Sequence, residues 1–125
     1  FGDIDCFDAF CGDALMAVKY FREHLTPSAA TETTIYTVPA ANTAVISSLR
    51  ITNTGSATST INLAIYPDGG ATPYKILEDT VLAIDSTMDA FNGVSCVMEE
   101  ADIMKVTSSL ADVDFYLSYM EVDRN

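Results

Sequence analysis

The chain has no tryptophan and only one histidine, and six basic residues stand against eighteen acidic ones in 125 residues. The basic deficit leaves a net charge of −12. Such a surface repels phosphate backbones and anionic lipid, so neither nucleic acid nor a membrane is an expected partner. No apolar run reaches the roughly 18 residues a spanning helix requires. The three cysteines, Cys6, Cys11 and Cys96, are an odd number and do not close a disulfide framework. Neither the spacing of Cys6 and Cys11 nor His24 makes a zinc pattern. Cys96 lies in an alternating run and reads as a small buried hydrophobe. A reducing cytoplasm suits this cysteine usage, and a Cys6–Cys11 link is the one local pairing open.

Catalytic groupings are also lacking. His24 has no serine or cysteine partner arranged as a triad. Pro67-Asp68-Gly69-Gly70 lacks the lysine and hydroxyl of a phosphate loop and reads as a turn. The aspartates near the N-terminus do not fit a calcium loop, because Asp8 stands where the glycine belongs. Asp79 and Asp85 are a nominal carboxylate pair, but nothing in the sequence fixes the separation that glycoside hydrolysis requires. Surface charge is the simpler account of both. No enzyme, no cofactor and no metal site is expected.

What is present is β-structure. Thr33 to Tyr66 holds three apolar runs rich in threonine and isoleucine, broken by turn residues. In the second run Val45, Ser47, Leu49, Ile51 and Asn53 alternate with Ala44, Ile46, Ser48, Arg50 and Thr52. In the third, Ile61, Leu63 and Ile65 share one side. Strand side chains point alternately to opposite faces, so this pattern buries one face and wets the other. Asn53-Thr54-Gly55-Ser56 lies between them and predicts a hairpin through residues that tolerate positive φ. Pro39 closes the first run.

Further along, Tyr74–Leu77, Val81–Ile84, Val94–Met98, Ile103–Thr107 and Val113–Met120 are candidate strands. Ser86–Phe91 extends the pairing, Asn92-Gly93 signals another hairpin, and 99–102 is an acidic turn. In the last strand Val113, Phe115, Leu117 and Tyr119 share a face. Residues 14–25 are ambiguous: Ala14, Val18, Phe21 and Leu25 fall at helical spacing between Asp13 and Pro27, while Val18, Tyr20 and Phe21 favour a strand. The expectation is a single all-β domain over residues 16–125, an antiparallel β-sandwich of about eight strands, jelly-roll or immunoglobulin-like.

Residues 1–15 differ from the rest. Phe1, Ile4, Phe7 and Phe10 recur every third position, with Asp3, Asp5, Asp8 and Asp13 between them. This is an N-terminal arm that packs its aromatics either on its own domain or on a neighbouring subunit, since exposed aromatics are a liability. Phe1, Ile4, Phe7, Phe10 and Tyr20 are the candidate subunit-interface residues. The acidic N-terminus is unlike a signal peptide. Met16 opens a stretch that would serve as a translation start, although the chain begins at Phe1.

The pieces TTIYTVPAANTAVISSLRITNTG (33–55), INLAIYPDGG (61–70), VLAIDSTMDAF (81–91), GVSCVMEEADIMKVTSSLADVDFYLS (93–118) and YMEV (119–122) resemble a family of small tailed-bacteriophage, cyanophage-like virion proteins. The resemblance runs from Tyr20 through Tyr119 and rests on scaffold motifs. It implies a strand over 17–25 and a structural role in a phage particle, as a capsid decoration (cement) protein or a head or tail accessory. The partners implied are the major capsid or tail proteins and further copies of the chain, a trimer or higher ring being favoured. The Phe/Asp arm has no counterpart in the family pattern. The alternative is a receptor- or glycan-binding module at a fibre tip, using Tyr66, Asp68, Tyr74 and the Asp112–Asp114 loop.

Overall fold

A computed structural model of the chain describes residues 18–123. The arm, with Phe1, Ile4, Phe7 and Phe10, lies outside the described residues. Nine strands form: β1 (Val18–Leu25), β2 (Thr33–Thr37), β3 (Asn42–Asn53), β4 (Ser59–Tyr66), β5 (Tyr74–Leu82), β6 (Thr87–Asp89), β7 (Cys96–Met98), β8 (Ile103–Ser108) and β9 (Val113–Asp123). All pairings are antiparallel. One sheet runs β1-β9-β3, with β6 and β7 both on the far edge of β3; the other runs β2-β8-β4-β5. Chain order alternates between the sheets from β1 to β4 and again from β7 to β9. This is jelly-roll topology, which selects between the two sandwich types the sequence allows.

The core is the space between the sheets. Ile46, Leu49, Ile51, Phe115 and Leu117 face Ile61, Leu63, Met104 and Val106 across it, all essentially inaccessible to solvent. Burying each such side chain contributes roughly 1.5–3 kcal/mol relative to exposure. Val113, Phe115, Leu117 and Tyr119 share the inner face of β9, as their alternation predicts.

The inner face of β3 does not follow the simple alternation. A register shift between Ile46 and Ser48 places Ser47 as an extra residue. Ala44 and Ile46 point inward before it, Leu49, Ile51 and Asn53 after it. A bulge changes the parity of the strand, so Val45 faces outward although the sequence pattern grouped it with Leu49.

The expected hairpin at 53–56 is absent, because β3 and β4 belong to different sheets. The segment is a crossover organised by Asn53, whose side chain is 1% exposed. Its amide donates to the carbonyls of Ala57 (2.9 Å) and Leu82 (3.1 Å), and its Oδ1 accepts from Gly55 N–H (3.0 Å). Gly55 does not sit at positive φ. Its lack of a side chain matters for space instead, since a Cβ there would lie 2.9 Å from Asp112 Cβ.

The Asn92-Gly93 turn does form. Both residues have positive φ and Val94 N–H donates to the Phe91 carbonyl at 2.9 Å. It does not join a hairpin, because β6 and β7 lie end to end along β3, opposite 50–52 and 44–46. The two short strands expected at 74–84 are one, β5, interrupted by shifts near Asp79, whose φ is +47°. Residues 18–25 are a strand and not a helix, paired with β9 through all eight positions. The acidic turn at 99–102 forms as expected, with Glu99 N–H donating to Asp102 Oδ2 at 2.9 Å.

Candidate functional site

Among the described residues, the outer face of the first sheet leaves a row of side chains without cover. Register places Tyr20 opposite Met120, Met120 opposite Val45, and Val45 opposite Val97. An apolar rung therefore runs across β1, β9, β3 and β7. Tyr20 is 80% exposed and Val97 61%. The neighbouring rung, Val18–Val122–Thr43, extends the apolar band at the same end of the sheet. In the other direction the face turns polar through Arg22–Ser118–Ser48 and then His24–Tyr116–Arg50–Asp89. A contiguous apolar band bordered by polar residues is the usual look of a protein contact surface, and here the border is shown on one side. Of the interface candidates, Tyr20 lies at the β1 end of this band, and the four in the arm lie outside the described residues.

The inner face of β1 holds a second feature. The Phe21 ring stacks on Tyr119 with centroids 5.7 Å apart, and Tyr119 meets Tyr36 at 4.2 Å. The Tyr36 hydroxyl donates to Glu121 Oε2 at 2.5 Å, and Asn42 Nδ2 donates to Oε1 of the same carboxylate at 3.2 Å. The Tyr119 hydroxyl donates to Glu23 Oε2 at 3.3 Å. Burial, reinforced by these carboxylates, raises the pKa of both tyrosines well above the ordinary phenol value. A shallow cleft of about 140 Å³ opens beside them, lined by Lys19, Phe21, Asn42, Glu121 and Asp123. This cluster closes the end of the sandwich beneath β1.

The residues proposed for a glycan site do not converge. Tyr66, Asp68 and Tyr74 gather at one end, where β4 finishes and β5 begins. The Asp112–Asp114 segment lies at the other end, next to Gly55. The eight residues of β4 separate them, roughly 25 Å at about 3.3 Å per residue. Tyr66 is itself engaged: its hydroxyl donates to Glu32 at 2.8 Å and Lys105 Nζ lies 4.6 Å above its ring. Asp79 and Asp85 both adopt positive φ, and the Asp79 carboxylate accepts from Asn62 Nδ2 at 3.3 Å. Asp79 N–H donates to Asn62 Oδ1 (3.0 Å) and Asp85 N–H to the Asn53 carbonyl (3.1 Å).

Cys96 lies opposite Ile46 and packs on the core. Burial, then the charge of Asp102, raises its thiol pKa. His24 is exposed on the outer face of β1. Among the described residues no three His, Cys, Asp or Glu side chains group in a way that could hold a metal ion. No helix there is long and apolar enough to cross a membrane.

No family model matches the chain, and no curated protein matches it. Among solved structures it is similar to a chain from Bacillus endospore appendages, described as forming a novel family of disulfide-linked pili. Identity is 18%, the match covers 86% of this chain and 87% of that chain, and the TM-score is 0.55. At that identity the likeness is one of fold: both chains are built on the same sandwich. The fold is a jelly-roll domain that, among the described residues, leaves an apolar band exposed on one sheet.

Proposed function

We propose that this protein is a structural subunit of a tailed-bacteriophage particle, a capsid decoration protein or a head or tail accessory, that acts by packing against neighbours and catalyses nothing. The observation that carries the reading is the rung Tyr20–Met120–Val45–Val97, an apolar surface on a sheet face that no other element among the described residues covers. The sequence resemblance to small virion proteins supplies the setting. A subunit that binds the assembled shell but not its separated parts stabilises the assembly by mass action. The partners are the major capsid or tail proteins and other copies of the chain, with closed rings as the expected symmetry. Its location is the virion, assembled in the host cytoplasm.

A second reading is favoured by one observation, the structural likeness to a pilus subunit. Here the chain would polymerise into a surface fibre. If such a fibre were disulfide-linked, Cys6 and Cys11 would be the linking thiols, because Cys96 is turned toward the core.

Antibodies raised against the purified chain separate the two. They are applied to phage particles and to surface fibres prepared from cells carrying the gene. Labelled heads or tails support the virion reading, and labelled fibres replace it with the second. A chain that labels neither and remains a monomer at high concentration overturns both.

A further inference from the structure

Among the described residues, each sheet edge but one is shortened or broken in a way that hinders pairing with another chain. β5 is broken by register shifts and carries Lys75, Glu78 and Asp79. β2 is five residues long with a shift between Thr34 and Tyr36, and β6 and β7 have three residues each. Bulges, charges and brevity are the ordinary means by which proteins blunt an edge. β1 is different. Its eight residues pair with β9 in unbroken register, and its other edge has no partner among the described residues. Seven of the eight are exposed.

We propose that β1 is a homotypic docking strand, pairing antiparallel with β1 of a second copy about a two-fold axis at Phe21. The two sheets would then join into one across the axis. An axis normal to the sheet keeps every side chain on its own face, so a residue can oppose only residues an even number of positions away. Centred on Phe21, this sets Lys19 against Glu23 of the second copy, Tyr20 against Arg22, and Phe21 against itself. By symmetry the first two contacts occur twice. Directly opposed side chains in an antiparallel pair have Cβ atoms about 4.5–5.5 Å apart, close enough for each of these contacts.

The same charges exclude the adjacent registers. Centred on Arg22, the pairing would set two guanidinium groups face to face. Centred on Tyr20, it would set Lys19 against Phe21 and leave Glu23 without a basic partner. The groups concerned are available. Among the described residues Lys19 and Arg22 form no ion pair, and Glu23 accepts only the long bond from Tyr119 at Oε2. The chain is strongly acidic, so two copies repel at long range, and a contact between them requires local complementarity of this kind. An isologous contact of this sort closes a dimer or joins two rings back to back.

The proposal requires only that two copies meet, whether in a phage particle or a fibre. Its test is therefore separate from the antibody experiment. The mass and dissociation constant of the purified full chain are measured by sedimentation for wild type, Lys19→Glu, Glu23→Lys and an equimolar mixture of the two variants. The expected result is association of wild type, weakening by roughly tenfold or more in each single variant, and recovery in the mixture. The mixture places unlike charges opposite one another at both positions, which neither variant achieves alone. A monomeric wild type, variants that associate as wild type does, or folded variants that fail to recover on mixing would each overturn the proposal. Should a variant fail to fold, hydrogen exchange on wild type decides the question. Amides of β1 on the edge away from β9 become protected as concentration rises if the proposal holds, and exchange at one rate at all concentrations if it fails.

Discussion

Tyr36 of β2 and Glu121 of β9 are joined by a 2.5 Å hydrogen bond that runs from one sheet to the other. The pair clasps the sandwich at the end where β1 lies open, and the Tyr119 ring packs against Tyr36 at a tilt of 40°. Tyr36→Phe removes the donor and leaves the carboxylate with Asn42. A hydrogen bond to a charged group is worth about 1.5–3 kcal/mol, so the variant should lose stability in that range, read from urea midpoints near neutral pH.

The clasp also predicts the alkaline limb of stability. The folded pKa of Tyr36 lies above its ordinary value of 10.0, raised first by burial and then by the bond to Glu121. Tyr119 is raised by burial, then by the charges of Glu23 and Glu121. A group whose folded pKa is raised lends its full stability below the unfolded value and loses it as pH rises toward the folded one. Unfolding free energy should therefore hold up to about pH 10 and fall above it. In Tyr36→Phe the fall should be shallower. Equal slopes in the two proteins would refute this origin.

Asn53 and Gly55 should be the least replaceable residues of the crossover. Asn53→Ala leaves the Ala57 and Leu82 carbonyls and the Gly55 N–H without their partner. Orphaned buried groups cost about 1–3 kcal/mol each, and a drop of about 3 kcal/mol is expected. Gly55→Ala brings a new Cβ to 2.9 Å from Asp112 Cβ, so one of the two must shift, and the variant should also melt early. A thermal denaturation series including Thr54→Ala as a control measures both.

The outer band should affect assembly and not folding. Tyr20 and Val97 are well exposed, so Tyr20→Ser and Val97→Lys should each shift stability by no more than about 0.5 kcal/mol. Incorporation into particles, compared by mass spectrometry of purified virions, should fall for both. Full occupancy by the double variant would remove the band from the contact.

Cysteine chemistry separates the virion and fibre readings. Cys96 is held against the core with a raised thiol pKa, so iodoacetamide should modify it only after unfolding. A non-reducing gel of assembled material should show monomer if the chain packs without covalent links. A ladder abolished by replacing Cys6 and Cys11, yet unaffected by Cys96→Ser, would point to a linked fibre.

The strands and the sandwich were legible because alternation carried them: β9 buries Val113, Phe115, Leu117 and Tyr119 as their spacing predicts, and β4 follows its pattern through Ile61 and Leu63, until a register shift buries Ala64 and leaves Ile65 half-buried. Two features were not legible. The bulge at Ser47 reverses the inward face of β3, and nothing local distinguishes Ser47-Ser48 from any polar pair on a wet strand. Asn53-Thr54-Gly55 has hairpin composition, yet its glycine answers a steric demand from Asp112, far away in sequence. Which sheet a strand joins depends on such distant contacts. The apolar band was half legible. Tyr20 was evident as an aromatic in need of cover, but its companions Met120, Val45 and Val97 come from three other strands, and only register brings them together.

The opposition of Val18 and Val122 has a consequence for how the molecule forms. The first described strand is zipped to the last, so its pairing closes a loop spanning nearly the whole described chain. Rejoining the ends there, with a new break at an exposed turn, would convert this most distant pairing into a simple hairpin. Folding rate rises as contacts become more local. The permuted molecule should fold faster into the same sandwich, with residues 1–17 inserted as a tether between adjacent strands or left out altogether.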